Sequence, residues 1–344
     1  MVKRATARDV AELAEVSRTT VSFVLNEVPG IRISEETRQR VLEAAKHLNY
    51  HPDATARRMV TGRTNVIGFI LRQSPDQVFG DQFLPQVLNG LTHAAAAQNY
   101  HVLIEPIPPE SEPGAYLRLV RERHVDGIIL SGPRFDDEEL LRFHAEGWPL
   151  VMMGQLPNTD LMSVDIDNVG SAAAATQHLI ALGHRRIALI TNAQPTYTAT
   201  MERLTGYRQA LESACLAYDE TLVEFGGFTP PSGAVAMNRL LQLSPRPTAV
   251  FVASDTVALG ALQAIRGCGL RVPNDIALVG FDDVPLSEFV DPPLTTIRLP
   301  AYGLGWGAAD LLLRAINHEE IQQRSVLLES ELIVRKSCGA NSGA

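Results

Sequence analysis

The chain has 344 residues, a formal net charge of −9 and an ordinary globular composition, 45% hydrophobic and 20% charged. That is enough for two or three domains with full cores, and no apolar run approaches the roughly 18 residues that span a bilayer. No apolar segment follows the basic residues at the N-terminus, so no secretory signal is expected, and neither a disulfide framework nor a metal site follows from three widely spaced cysteines, Cys215, Cys268 and Cys338.

We therefore expect a cytoplasmic protein with reduced thiols, no metal and no cofactor. The charge is unevenly placed. Residues 1–64 carry 11 Lys+Arg against 8 Asp+Glu, a net of +3, while the remainder carries −12. A basic head on an acidic body fits a nucleic-acid-binding module attached to something else.

The head begins with TARDVAELAEVSRTTVSFVLN (6–26). Thr6 is placed to cap a first helix, with Asp9 in the reciprocal capping-box position. Val10, Leu13 and Ala14 recur at helical spacing. The pattern breaks at Glu15-Val16, and Ser17 caps a second helix from Arg18 to Leu25. Val21, Val24 and Leu25 form its inward face, leaving Arg18, Thr19, Ser22 and Asn26 on the other side. So short a helix needs tertiary support. A third helix, capped by Ser34 and running 35–48, supplies it through Val41, Leu42, Ala45 and Leu48. Three short helices with the second one's polar face free predict a helix-turn-helix DNA reader; a small bundle that only contacts protein is the plainer alternative.

Pro52 stops the third helix. The following basic segment carries Arg57, Arg58 and one large apolar residue, Met59. It reads either as a flexible tether or as a short helix that orders on DNA, with two copies pairing in the minor groove and Met59 wedged between base pairs.

From Asn65 the texture becomes α/β. The apolar runs VIGFIL, YHVLIEP, VDGIIL and PLVMMG alternate with helical stretches, and after SVDIDN (163–168) the rhythm restarts with RIALIT, LVEFGG, AVFVAS and DIALVGFD. Strand–helix repetition with near-continuous apolar strands predicts parallel sheets covered on both faces. The fold expected is thus an all-α helix-turn-helix head plus an α/β body of two doubly wound parallel-sheet lobes. The boundaries expected are 1–51 for the head and 52–64 for the hinge. The first lobe takes 65–164 with 296–328, and the second 165–295 with 329–340. The segment 294–300 would carry the chain back to the first lobe. The tail after Val334 has no heptad, so a coiled-coil tetramerisation helix is not expected.

Ligands of open α/β sheets sit beyond the strand C-termini. Residues there include Asp255, Asp282, Asp283, Asp165 and Asp167, with Arg203 and Phe228 nearby. Carboxylates and an arginine grip hydroxyls, and an aromatic face covers the apolar side, so a sugar-like ligand is expected. For each acid, and for Asp255 above all, a helix-capping role is the competing reading. An enzyme is not expected: the sequence has no G-x-G-x-x-G, P-loop or G-x-S-x-G pattern. A solute-binding protein for a sugar would fit the body but not the head.

The order of head, basic segment and two-lobed body resembles the LacI/GalR family of bacterial transcriptional regulators, to about Val334. The most specific stretches are DVAELAEVSRTTVS (9–22), SEETRQRVLEAAKHLNYHPDATAR (34–57) and TGRTNVIGFI (61–70) in the head and hinge. In the body they are HLIALGHRRIALIT (178–191), ERLTGYRQAL (202–211), ASDTVALGALQAI (253–265), VPNDIALVGFDD (272–283) and PPLTTIR (292–298).

The resemblance implies a periplasmic-binding-protein-like body and a repressor that binds a double-stranded, pseudo-palindromic operator as a homodimer, answering to a small carbohydrate effector. It places Arg18 and Thr19 at base-reading positions. Thr6, Ser17, Thr20, Ser22, Phe23 and Asn26 join them at the DNA, with Arg57 on phosphate and Met59 as the minor-groove wedge. It places Phe83, Arg203, Phe228 and Asp282 at the effector, where Asp255 is a candidate from its place after a strand alone. Departures are Phe23 where arginine is usual, Glu15 at a turn position that is commonly glycine, a longer loop over 27–33, and Asp81-Gln82 in place of Asn-Pro.

Overall fold

Hydroxyl side chains start the three helices described in the first of two compact units, residues 1–65 and 66–344. The structure is a computed structural model that describes residues 5–26, 30–51, 58, 62–108, 110–112 and 114–340. In the head, α1 is Ala7–Leu13, α2 is Arg18–Leu25 and α3 is Glu35–His47. The Thr6 hydroxyl accepts the Asp9 N–H at 3.4 Å, and the Asp9 carboxylate accepts the Thr6 N–H at 2.7 Å, so the capping box is closed. Ser17 and Ser34 accept the N–H groups of Thr20 and Thr37. The turn between α1 and α2 puts Glu15 in the left-handed region, φ 53°, where a glycine would be unstrained.

The core of the head is Val10, Ala11, Ala14, Val21, Val24, Val41, Ala44 and Ala45. Leu13 and Leu42, expected inside, are exposed by 50% and 42%. At about 100° per residue, both sit about 110° away from the centre of their buried faces. Ala11 and Ala44 take those places because small residues let three short helices approach closely.

The body holds two six-stranded sheets. The first contains β1 (Val66–Leu71), β2 (His101–Pro106), β3 (Gly127–Ser131), β4 (Leu150–Met153), β5 (Met162–Ile166) and β11 (Ser325–Leu328), in the order β11-β5-β4-β3-β1-β2 and all parallel. The second contains β6 (Ile187–Ile190), β7 (Val223–Glu224), β8 (Ala249–Val252), β9 (Ala277–Asp282), β10 (Thr295–Arg298) and β12 (Glu331–Ile333), in the order β12-β10-β9-β8-β6-β7. Only β12 runs antiparallel to its neighbour.

The chain therefore changes lobe after β5, after β10, and between β11 and β12. This corrects two expected boundaries. β5 stays in the first sheet through Ile166, and TTIR (295–298) pairs with β9 rather than leading out of the second lobe. Pro300, at the start of the helix Ala301–Ile316, marks the true exit. A short helix, Pro75–Gly80, follows β1 where the sequence pattern suggested none.

Glycines set the helix spacing. A Cβ at Gly90 would overlap the Tyr302 carbonyl, and one at Gly305 would overlap that of Val87, so the helices Leu84–Ala97 and Ala301–Ile316 touch backbone to backbone. Gly90→Ala is expected to destabilise the body by about 1–3 kcal/mol through forced separation of this pair. Denaturant unfolding checks it, and an unchanged midpoint would contradict the close approach. Among the described residues no helix is long and apolar enough to cross a membrane.

Candidate functional site

The second helix of the head presents Ser17, Arg18 and Thr19 to solvent, as α1 does Thr6, while Thr20, Ser22, Phe23 and Asn26 are half-buried. Arg18 makes no hydrogen bond or ion pair among the described residues, and its helix has no acid in the first turn. The side chain is thus free at a helix N-terminus, a position that favours anions. Ser17 and Thr20 share a hydroxyl hydrogen bond of 2.9 Å. Asn26 donates its amide to the Ser22 carbonyl at 2.9 Å and hydroxyl at 3.2 Å, holding it on its own helix. Arg57 and Met59, expected at phosphate and minor groove, lie outside the described residues.

In the body, a cavity of about 930 Å³, mouth included, opens between the lobes. Its lining includes Leu71, Ser131, Met153 and Ile166 at the ends of β1, β3, β4 and β5. Asn192, Ser254, Asp282 and Leu299 mark the ends of β6, β8, β9 and β10. Carboxyl ends of parallel strands are where this architecture exposes backbone and side chains to a ligand.

Five expected residues meet there: Phe83, Asp165, Arg203, Phe228 and Asp282. Arg203 is buried, donates Nε to Asn168 Oδ1 at 3.0 Å and Nη1 to the Ala253 carbonyl at 2.7 Å, and stacks 4.0 Å over the Phe281 ring. Burial lowers its pKa, and the charges of Asp282 and Asp165 oppose that. Asp282 ends β9 at φ 117°, turning its side chain into the cavity. Burial drives its pKa well above the usual range, with Arg203 pulling the other way. Phe228, at φ 59°, meets the Tyr197 ring edge-on at 5.2 Å.

Asp255, expected at the ligand, is not there. It is fully buried and accepts from Phe281 N (2.8 Å), Val284 N (3.1 Å), Ser287 Oγ (2.6 Å) and Thr296 Oγ1 (2.7 Å). As the first residue of its helix it turns inward beneath β9 and braces the loop that carries Asp282. Asp167 caps the helix Asn168–Ala181 through the Gly170 N–H, and Asp283 is held by Arg298 and Arg335 at 2.7 Å each. Asp165 does line the cavity, with its carboxylate engaged by the Ile166 N–H and the Asn168 amide.

Gln73, Asn168, Asn192, Tyr197 and Ser254 line the cavity without having been singled out in the sequence. Asn192 and Ser254 stand just after strands, a position that could have marked them. Tyr197 carries no such signal. It reaches the cavity because the loop after β6 folds back, and its hydroxyl donates to the Arg72 carbonyl in the other lobe. The Phe135 N–H to Thr196 carbonyl (3.0 Å), Thr198 N–H to Pro133 carbonyl (3.2 Å) and Gln77 amide to Gly227 carbonyl (3.2 Å) bonds also join the lobes.

Burial raises Asp81, Asp165 and Asp255 to about 6 and Glu202 to about 7. A folded-state pKa above the unfolded value gives stability that is present at low pH and lost as pH rises through it. We expect the ligand-free protein to melt at a higher temperature at pH 5 than at pH 7.5. His184, whose pKa burial lowers, acts against this and only near its own titration. A higher melting temperature at pH 7.5 would contradict the burial of these acids.

Comparison with known proteins follows the same division. Residues 6–53 match the family described as bacterial regulatory proteins, lacI family, and residues 176–338 match the periplasmic binding protein-like domain. The HTH-type transcriptional regulator CelR of Thermobifida fusca is 38% identical over 338 residues, covering 97% of this chain and 98% of the relative. Among solved structures, a CelR–cellobiose complex is similar at TM-score 0.75 and 36% identity, with 97% of this chain and 100% of that one covered. The lac repressor dimer bound to operator and the anti-inducer ONPF is similar at TM-score 0.84 and 28% identity, covering 98% and 99%.

Proposed function

Since the chain belongs to the lacI family of bacterial regulatory proteins, we propose that it is a cytoplasmic repressor whose DNA affinity is set by an uncharged saccharide held between its lobes. The observation that carries this reading is the cavity at the strand ends, with Arg203, Asp282 and Phe228 on its wall, in a chain that also carries a capped helix-turn-helix. A carboxylate and a guanidinium can address neighbouring hydroxyls, and the Phe228 ring can cover a C–H face of the sugar. The similarity to a cellobiose-bound regulator supports the same class. No catalytic role is assigned to these groups.

Two heads of a homodimer would read the two halves of an inverted repeat, because the two-fold axis of the protein is mirrored in its site. Arg18 and Thr19 would read base edges, with Ser17 and Thr20 near phosphate. The saccharide favours one arrangement of the lobes, and the resulting change in operator affinity must equal the change the operator makes in saccharide affinity. Selection of duplexes from a random pool, at one stated salt concentration and with and without saccharides, tests the reading. An enriched inverted repeat whose recovery changes with one sugar is expected. An unenriched pool under all conditions would refute it. Arg18→Ala should weaken the selected site by about 1–3 kcal/mol and relax preference at a single base pair in each half. A uniform loss across all sequences would instead put Arg18 on phosphate.

A further inference from the structure

We propose that the first-lobe wall of the cavity, through Asp81 and Gln73, selects an uncharged polyhydroxy ligand and rejects its anionic derivatives; this rests on the saccharide reading above. The lining contains three acids, Asp81, Asp165 and Asp282, and one cation, Arg203. Asp165 is engaged by Ile166 and Asn168, and Arg203 directs two of its N–H groups at Asn168 and Ala253. Asp282 shares the second-lobe wall with the guanidinium.

Asp81 stands apart from that balance. Its Oδ1 accepts the Phe83 N–H at 2.8 Å. Beside it on the first-lobe wall, Gln73 carries a side-chain oxygen shielded from solvent with no hydrogen-bond donor among the described residues. Both groups offer acceptors, and a buried acceptor left without a donor is costly. The donor that Gln73 lacks is what a ligand would bring.

Hydroxyl groups supply such donors without charge. A carboxylate or phosphate would supply acceptors only and would meet Asp81 in a site of low dielectric. Burial raises the Asp81 pKa to about 6, with the Phe83 N–H pulling the other way, and the test is therefore set at pH 7.5.

The test uses the full-length protein and a panel of cellobiose, maltose and lactose with their uronate derivatives, read by titration calorimetry at pH 7.5. One neutral disaccharide should bind, and its uronate should bind about 10- to 100-fold more weakly, the range expected when a charge-assisted hydrogen bond is replaced by repulsion. In Asp81→Asn the gap should close to about threefold, and in Asp81→Ala the neutral sugar should weaken by about 10- to 100-fold. The wild-type comparison does not depend on either variant folding. Binding of the uronate as tightly as the neutral parent would overturn the proposal while leaving the saccharide reading standing. No binding by any member of the panel would remove both.

Discussion

Asp282→Ala is expected to weaken saccharide binding by about 100-fold while ligand-free operator binding stays within about threefold of wild type. The carboxyl is buried at the end of β9 and faces the cavity, where burial disfavours its charge and Arg203 favours it, so a ligand hydroxyl placed there would exchange water for a buried carboxyl acceptor. Leaving a buried hydrogen-bonding group without its partner costs about 1–3 kcal/mol, and two such bonds to one carboxyl reach the expected loss. Removing Asp282 also takes away the acid that most strongly favours the charged form of buried Arg203. The same φ of 117° is unfavourable for alanine, so no relief of strain offsets the loss. Calorimetry for the sugar and fluorescence anisotropy for the operator separate the two effects. A variant whose operator release still follows sugar concentration normally would remove Asp282 from the ligand site.

The head was legible where its structure is local. Caps at Thr6, Ser17 and Ser34 depend on three or four consecutive residues, and each is formed as its spacing suggests. Burial was less legible. Leu13 and Leu42 satisfy helical spacing, but two or three apolar residues do not fix the centre of a face, and the tight packing of alanines moved it. In the body, runs of apolar residues marked the two parallel sheets, but not where β10 ends its pairing and hands the chain to the other lobe.

Asp255 and Asp282 show the limit for the site. Each stands at the C-terminal end of a strand, and nothing in the neighbouring residues says which faces the cavity. The difference lies in non-local donors, from Phe281 to Thr296, that surround one and not the other. Tyr197 was illegible for the same reason, since its hydroxyl partner lies in the turn that follows β1, far away in the chain.

That contrast yields the second large effect, on stability. Asp255→Ala is expected to destabilise the protein by about 3–5 kcal/mol at pH 7, because two backbone N–H groups and two hydroxyls lose their acceptor inside the core. No water reaches the site readily, given that Asp255 is 0% exposed. Asp255→Asn keeps one carbonyl acceptor and should lose less, about half as much. The pH dependence separates this from a simple packing defect. Burial holds the Asp255 pKa at about 6 in the fold against 3.8 in the unfolded chain. The group therefore favours the folded state most below about pH 4, and that advantage is lost as pH rises through about 6. Replacing it should flatten the pH dependence of stability over that window, which denaturant unfolding at pH 4.5 and pH 7 would measure. An alanine variant as stable as wild type would mean that these four donors find other acceptors. A variant equally destabilised at both pH values would mean that the carboxyl does not titrate there. Since the same carboxylate holds the Phe281 and Val284 N–H groups on either side of Asp282, the alanine variant should also lose saccharide affinity, although Asp255 does not line the cavity.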